Sequence, residues 1–150
     1  MKREVHLNRS KDRKITFMGE DLFDITDKDS YSSRWWRLQA YITDNGYNLG
    51  IGHISTWTPG ERDCYWAYKE IRDKEGIIRR LRNNTPPPSP DITEGPYMEL
   101  LFKVYENGLP DSLIRDWDKE RNAYIELAGE VEKFLTEEIS APGSRHRQAE

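Results

Sequence analysis

A chain of 150 residues is about the size of one domain and long enough to bury a core. Charged residues make up 33% of it, yet 11% is aromatic, which excludes wholesale disorder because disordered chains are poor in aromatics. A formal net charge of -4 weighs against a dedicated nucleic-acid binder, and one cysteine, Cys64, leaves no intrachain disulfide and no cysteine-rich zinc site within these residues.

The opening residues MKREVHLNRSKDRK lack the apolar stretch of a signal peptide, and no run approaches the roughly 18 apolar residues of a membrane span. With cysteine so scarce, the expectation is a cytoplasmic protein without a membrane partner. Charge is blocked: Lys2, Arg3, Arg9, Lys11, Arg13 and Lys14 stand against Glu4 and Asp12, and then Glu20, Asp21, Asp24, Asp27 and Asp29 against Lys28. Such blocks are ordinarily solvated faces, although these two have the signs to attract one another. Val5 and Leu7 alternate with polar neighbours, as do Ile15 and Phe17, and each pair predicts a strand. Asp24, Asp27 and Asp29 are candidate ligands for a hard cation, without the glycine and distal glutamate of a calcium loop.

Two aromatic-rich runs follow, RWWRLQAYIT and YNLGIGHIS, joined by Asp44-Asn45-Gly46. Asn-Gly predicts a hairpin with a two-residue type I′ loop at Asn45 and Gly46. That register sets Asp44 opposite Tyr47, Ile42 opposite Leu49, Ala40 opposite Ile51 and Leu38 opposite His53. Alternation gathers the last three pairs with Trp36 and Ser55 on an apolar face that meets the helices. The other face carries Trp35, Arg37, Gln39 and Tyr41, opposite Thr56, Ile54, Gly52 and Gly50. Glycines in a strand mark close approach, so Gly50 and Gly52 open a shallow trough walled by aromatic and guanidinium groups. Trp35, Arg37, Gln39, Tyr41, Gly50 and Gly52 are therefore the candidate binding surface, for a peptide, a planar ligand or a partner protein. The competing reading is plain packing, with a ring lying over the glycines and Trp35 stacked on Arg37. A further run, CYWAYK, after Thr58-Pro59-Gly60, completes an antiparallel meander of four to five strands.

Periodicity then changes. Asp73 is a predicted N-cap with Ile77, Ile78 and Leu81 on one helical face, and Gly76 weakens that helix by roughly 1 kcal/mol relative to Ala. Residues 83–96, with Pro86, Pro87, Pro88 and Pro90, predict an extended connector. A helix is expected from Pro96 to a stop at Gly108. A long one then runs from Asp111 to about Ile139, with a stripe of Ile114, Trp117, Tyr124, Ala128, Val131 and Leu135, widened by Leu113, Ile125, Leu127, Phe134 and Ile139. At 1.5 Å per residue it spans about 40 Å, so it lies across its own sheet or projects onto a second copy. Residues 140–150 read as a tail. The expected fold is α+β: an antiparallel meander packed against C-terminal helices, the last one long, in one domain over residues 1–139, strand-rich in 1–69 and helical in 73–139.

No H-E-x-x-H, G-x-S-x-G, Walker or kinase pattern occurs. His53 is the one candidate for a general base, at a pocket between sheet and helices, against the alternative of a buried histidine satisfied by one hydrogen bond. Cys64 is close enough to His53 for a nucleophile pair, but Asp63 beside it would raise the thiol pKa. The sequence thus predicts a non-enzymatic interaction or regulatory module that needs no cofactor and has a protein partner or a second copy of itself. The alternatives are a small enzyme or ligand-binding protein centred on His53, and a single-strand nucleic-acid binder using the basic N-terminal residues.

Overall fold

The computed structural model describes residues 2–10, 12–29, 32–55, 63–86 and 111–140, with side chains from 117 to 139 in the last segment. Within these residues the chain runs β1 (Arg3–Leu7), β2 (Ile15–Thr26), β3 (Arg34–Thr43), β4 (Gly46–Ser55), β5 (Cys64–Ile71), α1 (Lys74–Asn83) and α2 (Asp111–Ser140). The strands form one antiparallel meander in the order β1-β2-β3-β4-β5. The fold is α+β, as expected. The helix predicted between Pro96 and Gly108, residues 87–96 of the connector and residues 141–150 of the tail lie outside the described residues.

The acidic segment is strand rather than connection. Ile15 to Gly19 of β2 pair with β1, and Glu20 to Thr26 pair with β3, with a register shift between Asp21 and Phe23. This division lets the β1–β2 hairpin fold over the outer face of the sheet. Leu7 comes to rest on Gly50, and Val5, Leu7 and Tyr41 form a second apolar cluster with Ile15, Phe17 and Ala67. Beyond β1 the chain reaches β5, where Ser10 N–H donates to Tyr65 O at 3.0 Å and Tyr65 N–H donates to Ser10 Oγ at 2.7 Å. The two charge blocks meet on the way, Arg3 bonding Asp21 at 2.9 Å.

The β3–β4 hairpin keeps the expected faces but not the expected pairs. Thr43 faces Gly46, Ala40 faces Leu49, Leu38 faces Ile51 and Trp36 faces His53, two residues away from the register that an Asn45-Gly46 loop would impose. The turn residues are Asp44 and Asn45, both at negative φ, and Gly46 alone takes a positive value of +128°. The Thr43 hydroxyl makes the difference: it accepts Asn45 N–H at 3.1 Å and donates to Gly46 O at 3.0 Å, closing a turn that needs no left-handed residue before the glycine. Gly46 in turn lies against Ile71 O, where a Cβ has no room.

The inner face of the sheet carries Trp36, Leu38, Ala40, Leu49 and Ile51 against Ile77 and Leu81 of α1 and Trp117, Tyr124, Leu127, Val131 and Leu135 of α2. Asp73 caps α1, accepting Gly76 N–H at 2.7 Å. Gly76 is the price of close packing, since a Cβ there would stand 2.7 Å from Ile71 Cγ2. The thirty residues of α2 span about 45 Å, and Tyr124 ties it to α1 by donating to Leu81 O at 2.5 Å. Ile125 and Phe134 do not widen the buried stripe as predicted; they remain 41% and 38% exposed. At 100° per residue they fall on opposite sides of the helix. Among the described residues no helix is long and apolar enough to cross a membrane.

The turn geometry separates two neighbouring substitutions. Gly46→Ala forces a left-handed alanine against a backbone carbonyl and should lower unfolding free energy by at least about 2 kcal/mol. Asn45→Ala, at negative φ, should stay within about 0.5 kcal/mol. Urea denaturation of both variants checks this; equal effects would contradict the turn.

Candidate functional site

Between β1 and the outer face of the sheet lies a cleft of about 310 Å³. Its floor and far wall are Arg37, Gln39 and Tyr41 of β3, Gly50 and Gly52 of β4 and Tyr65 of β5, and its near wall is formed by residues 3–8. Five of the six predicted binding residues therefore come together in it. Trp35 does not line it: Lys28 Nζ sits 4.6 Å from the centre of the Trp35 ring, in the place the sequence reading gave to Arg37. The true register sets Arg37 opposite Gly52 and Gln39 opposite Gly50.

The trough is partly filled. A Cβ on Gly50 would stand 2.8 Å from Leu7 Cδ2, and one on Gly52 would stand 3.2 Å from the Tyr65 ring. The glycines thus admit Leu7 and Tyr65, which is the close approach their presence signals. Tyr41 is 3% exposed, with the Phe17 ring edge-on at 5.6 Å and the Arg3 guanidinium 5.6 Å from its ring centre. Its hydroxyl donates to Gln39 Oε1 at 2.6 Å, and burial raises its pKa, keeping it a donor.

Both arginines of the cleft are anchored by the acidic segment. Arg37 bonds Asp24 through Nε at 2.9 Å and Nη2 at 2.6 Å, a bidentate pair that fixes the guanidinium plane and raises its pKa. Asp24 is thereby engaged, while Asp27 accepts Trp36 N–H at 2.7 Å and Asp29 accepts from the Ser32 hydroxyl at 2.9 Å. The three aspartates do not converge as a cation site, and no metal-binding group of three His, Cys, Asp or Glu occurs among the described residues. Burial, with the Asp63 carboxylate next, pushes the Tyr65 phenol up to about 12, and it donates to Asp63 Oδ2 at 3.1 Å.

His53 lies on the opposite face, at the seam between sheet and α2. It is 2% exposed, packs 4.5 Å from the Trp36 ring and places Nε2 3.2 Å from Glu120 Oε2. Its Nδ1 is buried without a hydrogen-bond partner. An unpaired lone pair there is less unfavourable than an unpaired N–H, so the proton belongs on Nε2, donated to Glu120. Cys64, buried, faces His53 across β4 and β5, but the imidazole is already engaged. Glu120 and Asp27 border a cavity of about 270 Å³ with Ser32, Ser33, Arg34 and Lys119, which His53 meets only through Glu120. Burial above all raises the Asp27 pKa; the negative charge of Glu120 adds to this, and the bond from Trp36 N–H opposes it.

Sequence reasoning missed the near wall of the cleft, Tyr65 and Glu120. The alternation of Val5 and Leu7 marked a strand, and the paired glycines marked an approach, but nothing connected the two. No family model matches the chain, and no curated protein or solved structure does.

Asp27 provides a pH-dependent check. A carboxyl whose pKa is raised on folding favours the protonated native state, so ionisation lowers stability as pH rises from the ordinary 3.8 through the raised value and the loss is complete above it. Asp27→Asn keeps an oxygen for Trp36 N–H and removes that loss. Relative to the parent it should gain stability across this window and hold the gain at neutral pH. Urea midpoints of both proteins from about pH 3 to about 7 read the difference, which must not be flat.

Proposed function

We propose that the chain is a non-enzymatic recognition module that takes an extended segment of a partner protein into the cleft between β1 and β5. The observation that carries this reading is the free edge of β1. That strand pairs only with β2 among the described residues, and residues 3–8 run consecutively along the cleft wall. A partner segment laid against this edge gains main-chain hydrogen bonds, the mode of recognition known as strand addition. Gly50 and Gly52 seat Leu7 and Tyr65 close to the floor, and Arg37, Gln39 and Tyr65 beside them supply polar anchors for the segment's side chains. Arg37 is already oriented by Asp24, so little is lost in ordering it on binding.

The same pairing weighs against the nucleic-acid alternative at this cleft. Arg3 and Arg37 each carry an aspartate partner, which reduces what either offers to a phosphate. The enzymatic alternative draws on His53, whose Nε2 is engaged by Glu120 and whose Nδ1 is buried away from the cavity.

Peptides selected from a random display library, titrated into isotope-labelled protein, test the proposal. Amide shifts should concentrate in residues 3–8 and at Gly50 and Gly52. Gly52→Ala, whose methyl group crowds the Tyr65 ring, and Arg37→Ala should each weaken binding at least about tenfold, or 1.4 kcal/mol. Selected peptides that leave these amides unmoved would remove the reading.

A further inference from the structure

Where β5 runs into α1, Lys69, Arg72, Arg79 and Arg80 surround a further concavity, of about 330 Å³, with Glu70 and Asn83 on its rim. Four cations line this cavity with one carboxylate, Glu70, in a chain whose net charge is -4. Several cations elsewhere are matched: Arg3 with Asp21, Arg37 with Asp24, Lys74 with Glu138 and Arg82 with Glu132. Here they are not. No described residue pairs with the Lys69 ammonium or the Arg72 guanidinium. Arg79 stands 3.9 Å from Asp73, beyond hydrogen-bond distance, and Arg80 lies over the Tyr68 ring at 4.9 Å.

The backbone holds this arrangement in place. Glu70 has φ of +59°, in the left-handed region that a residue with a side chain enters only at a cost, and the β4–β5 register shifts beside it. Its N–H is fixed by the buried Asn48, whose Oδ1 accepts it at 3.0 Å. In an unbroken strand, residues three apart face opposite ways. The irregularity at Glu70 instead brings Lys69 and Arg72 to the same cavity, where Arg79 and Arg80 of α1 meet them.

We propose that this corner binds a small organic phosphate, through a diphosphate or phosphate monoester group such as a nucleotide or a sugar phosphate carries. Mutual repulsion of four cations in one corner is relieved by a compact polyanion. Guanidinium forks match phosphate oxygens two at a time, and stacking on Tyr68 holds the Arg80 plane ready. A nucleic-acid backbone would call for cations spread along a stripe, whereas these converge on one cavity.

Pyrophosphate is the probe, titrated into the full chain at low salt by calorimetry and followed by amide shifts. Saturable binding with shifts confined to residues 69–83 is expected. Arg72→Ala and Arg79→Ala should each weaken it at least tenfold without moving the urea midpoint, because both side chains are exposed. The double variant Arg13→Ala/Lys14→Ala, which removes twice the charge of either single variant far along the sequence, should leave it unchanged. Absence of saturation, or equal weakening by the control, overturns the proposal. So does an affinity for single-stranded oligonucleotides that grows with their length while pyrophosphate fails to bind, since that would make the corner part of a nucleic-acid track.

Discussion

Trp36 joins the sheet to its long helix, and the arrangement of both faces follows from how its polar groups are satisfied. The indole is 1% exposed, and a buried indole N–H needs an acceptor. It finds one in Glu120 O, at 3.0 Å, which fixes where α2 crosses β3. The main chain of the same residue is held from the other side: Asp27 Oδ1 accepts its N–H, and the Thr26 hydroxyl donates to its carbonyl at 2.6 Å. The end of β2, the start of β3 and the middle of α2 therefore meet at one residue. The Glu120 side chain falls beside His53 because its carbonyl is already bound next door, so the His53–Glu120 contact is a consequence of the joint. Tyr124, one helical turn on, packs edge-on to the indole at 5.0 Å and carries the connection to α1.

With α2 fixed on the inner face, the outer face of β3 and β4 would lie open if β1 did not return over it. It does return, and residues 48–53 of β4 are buried as a run rather than in alternation. Burial on both sides explains why Gly50 and Gly52 stand where a regular strand would carry side chains. The inner face is filled by large residues from two helices, and the outer one by a five-residue strand that must approach closely to bury Val5 and Leu7. That short strand covers part of the trough and leaves the rest as a cleft. Its shape comes from the lengths of the elements and from no single residue.

The faces of the β3–β4 hairpin were legible because side-chain direction has a period of two, and the true register differs from the expected one by two. Trp36 inward and Arg37 outward survive such a shift; the identity of the residue opposite each does not. The turn itself was obscured by Thr43, whose hydroxyl outweighs the pull of Asn-Gly toward a type I′ loop. The strand character of the acidic segment was hidden for a different reason. Aspartates are poor strand formers, and those of β2 are compensated by Arg3 and Arg37, which lie elsewhere in the chain. His53 was readable as core, but its partner Glu120 lies 67 residues away, and periodicity carries no information across such a distance. Tyr41 is buried for the same kind of reason, by residues from β1 and β2 that no local pattern connects to it.

The two edges of the meander are not equivalent, and the difference bears on where a partner strand would add. An exposed edge is a row of unpaired backbone groups, which folded chains blunt by charge, shortness or irregularity. On β5 the edge is met at one end by Ser10, which binds both the N–H and the carbonyl of Tyr65. At the other end the left-handed Glu70 turns the backbone out of strand geometry, with Lys69 beside it. Little continuous edge remains between them. On β1 there is no such irregularity: its five residues pair in unbroken register with β2, so their opposite edge is regular as well. It faces a cleft whose floor has two glycines and whose anchors are already ordered. The feature that protects β5 is also the one that gathers Lys69 and Arg72 at the corner with α1. A single irregular residue near the end of β5 thereby leaves β1 as the regular edge of the meander and gathers positive charge at a separate corner.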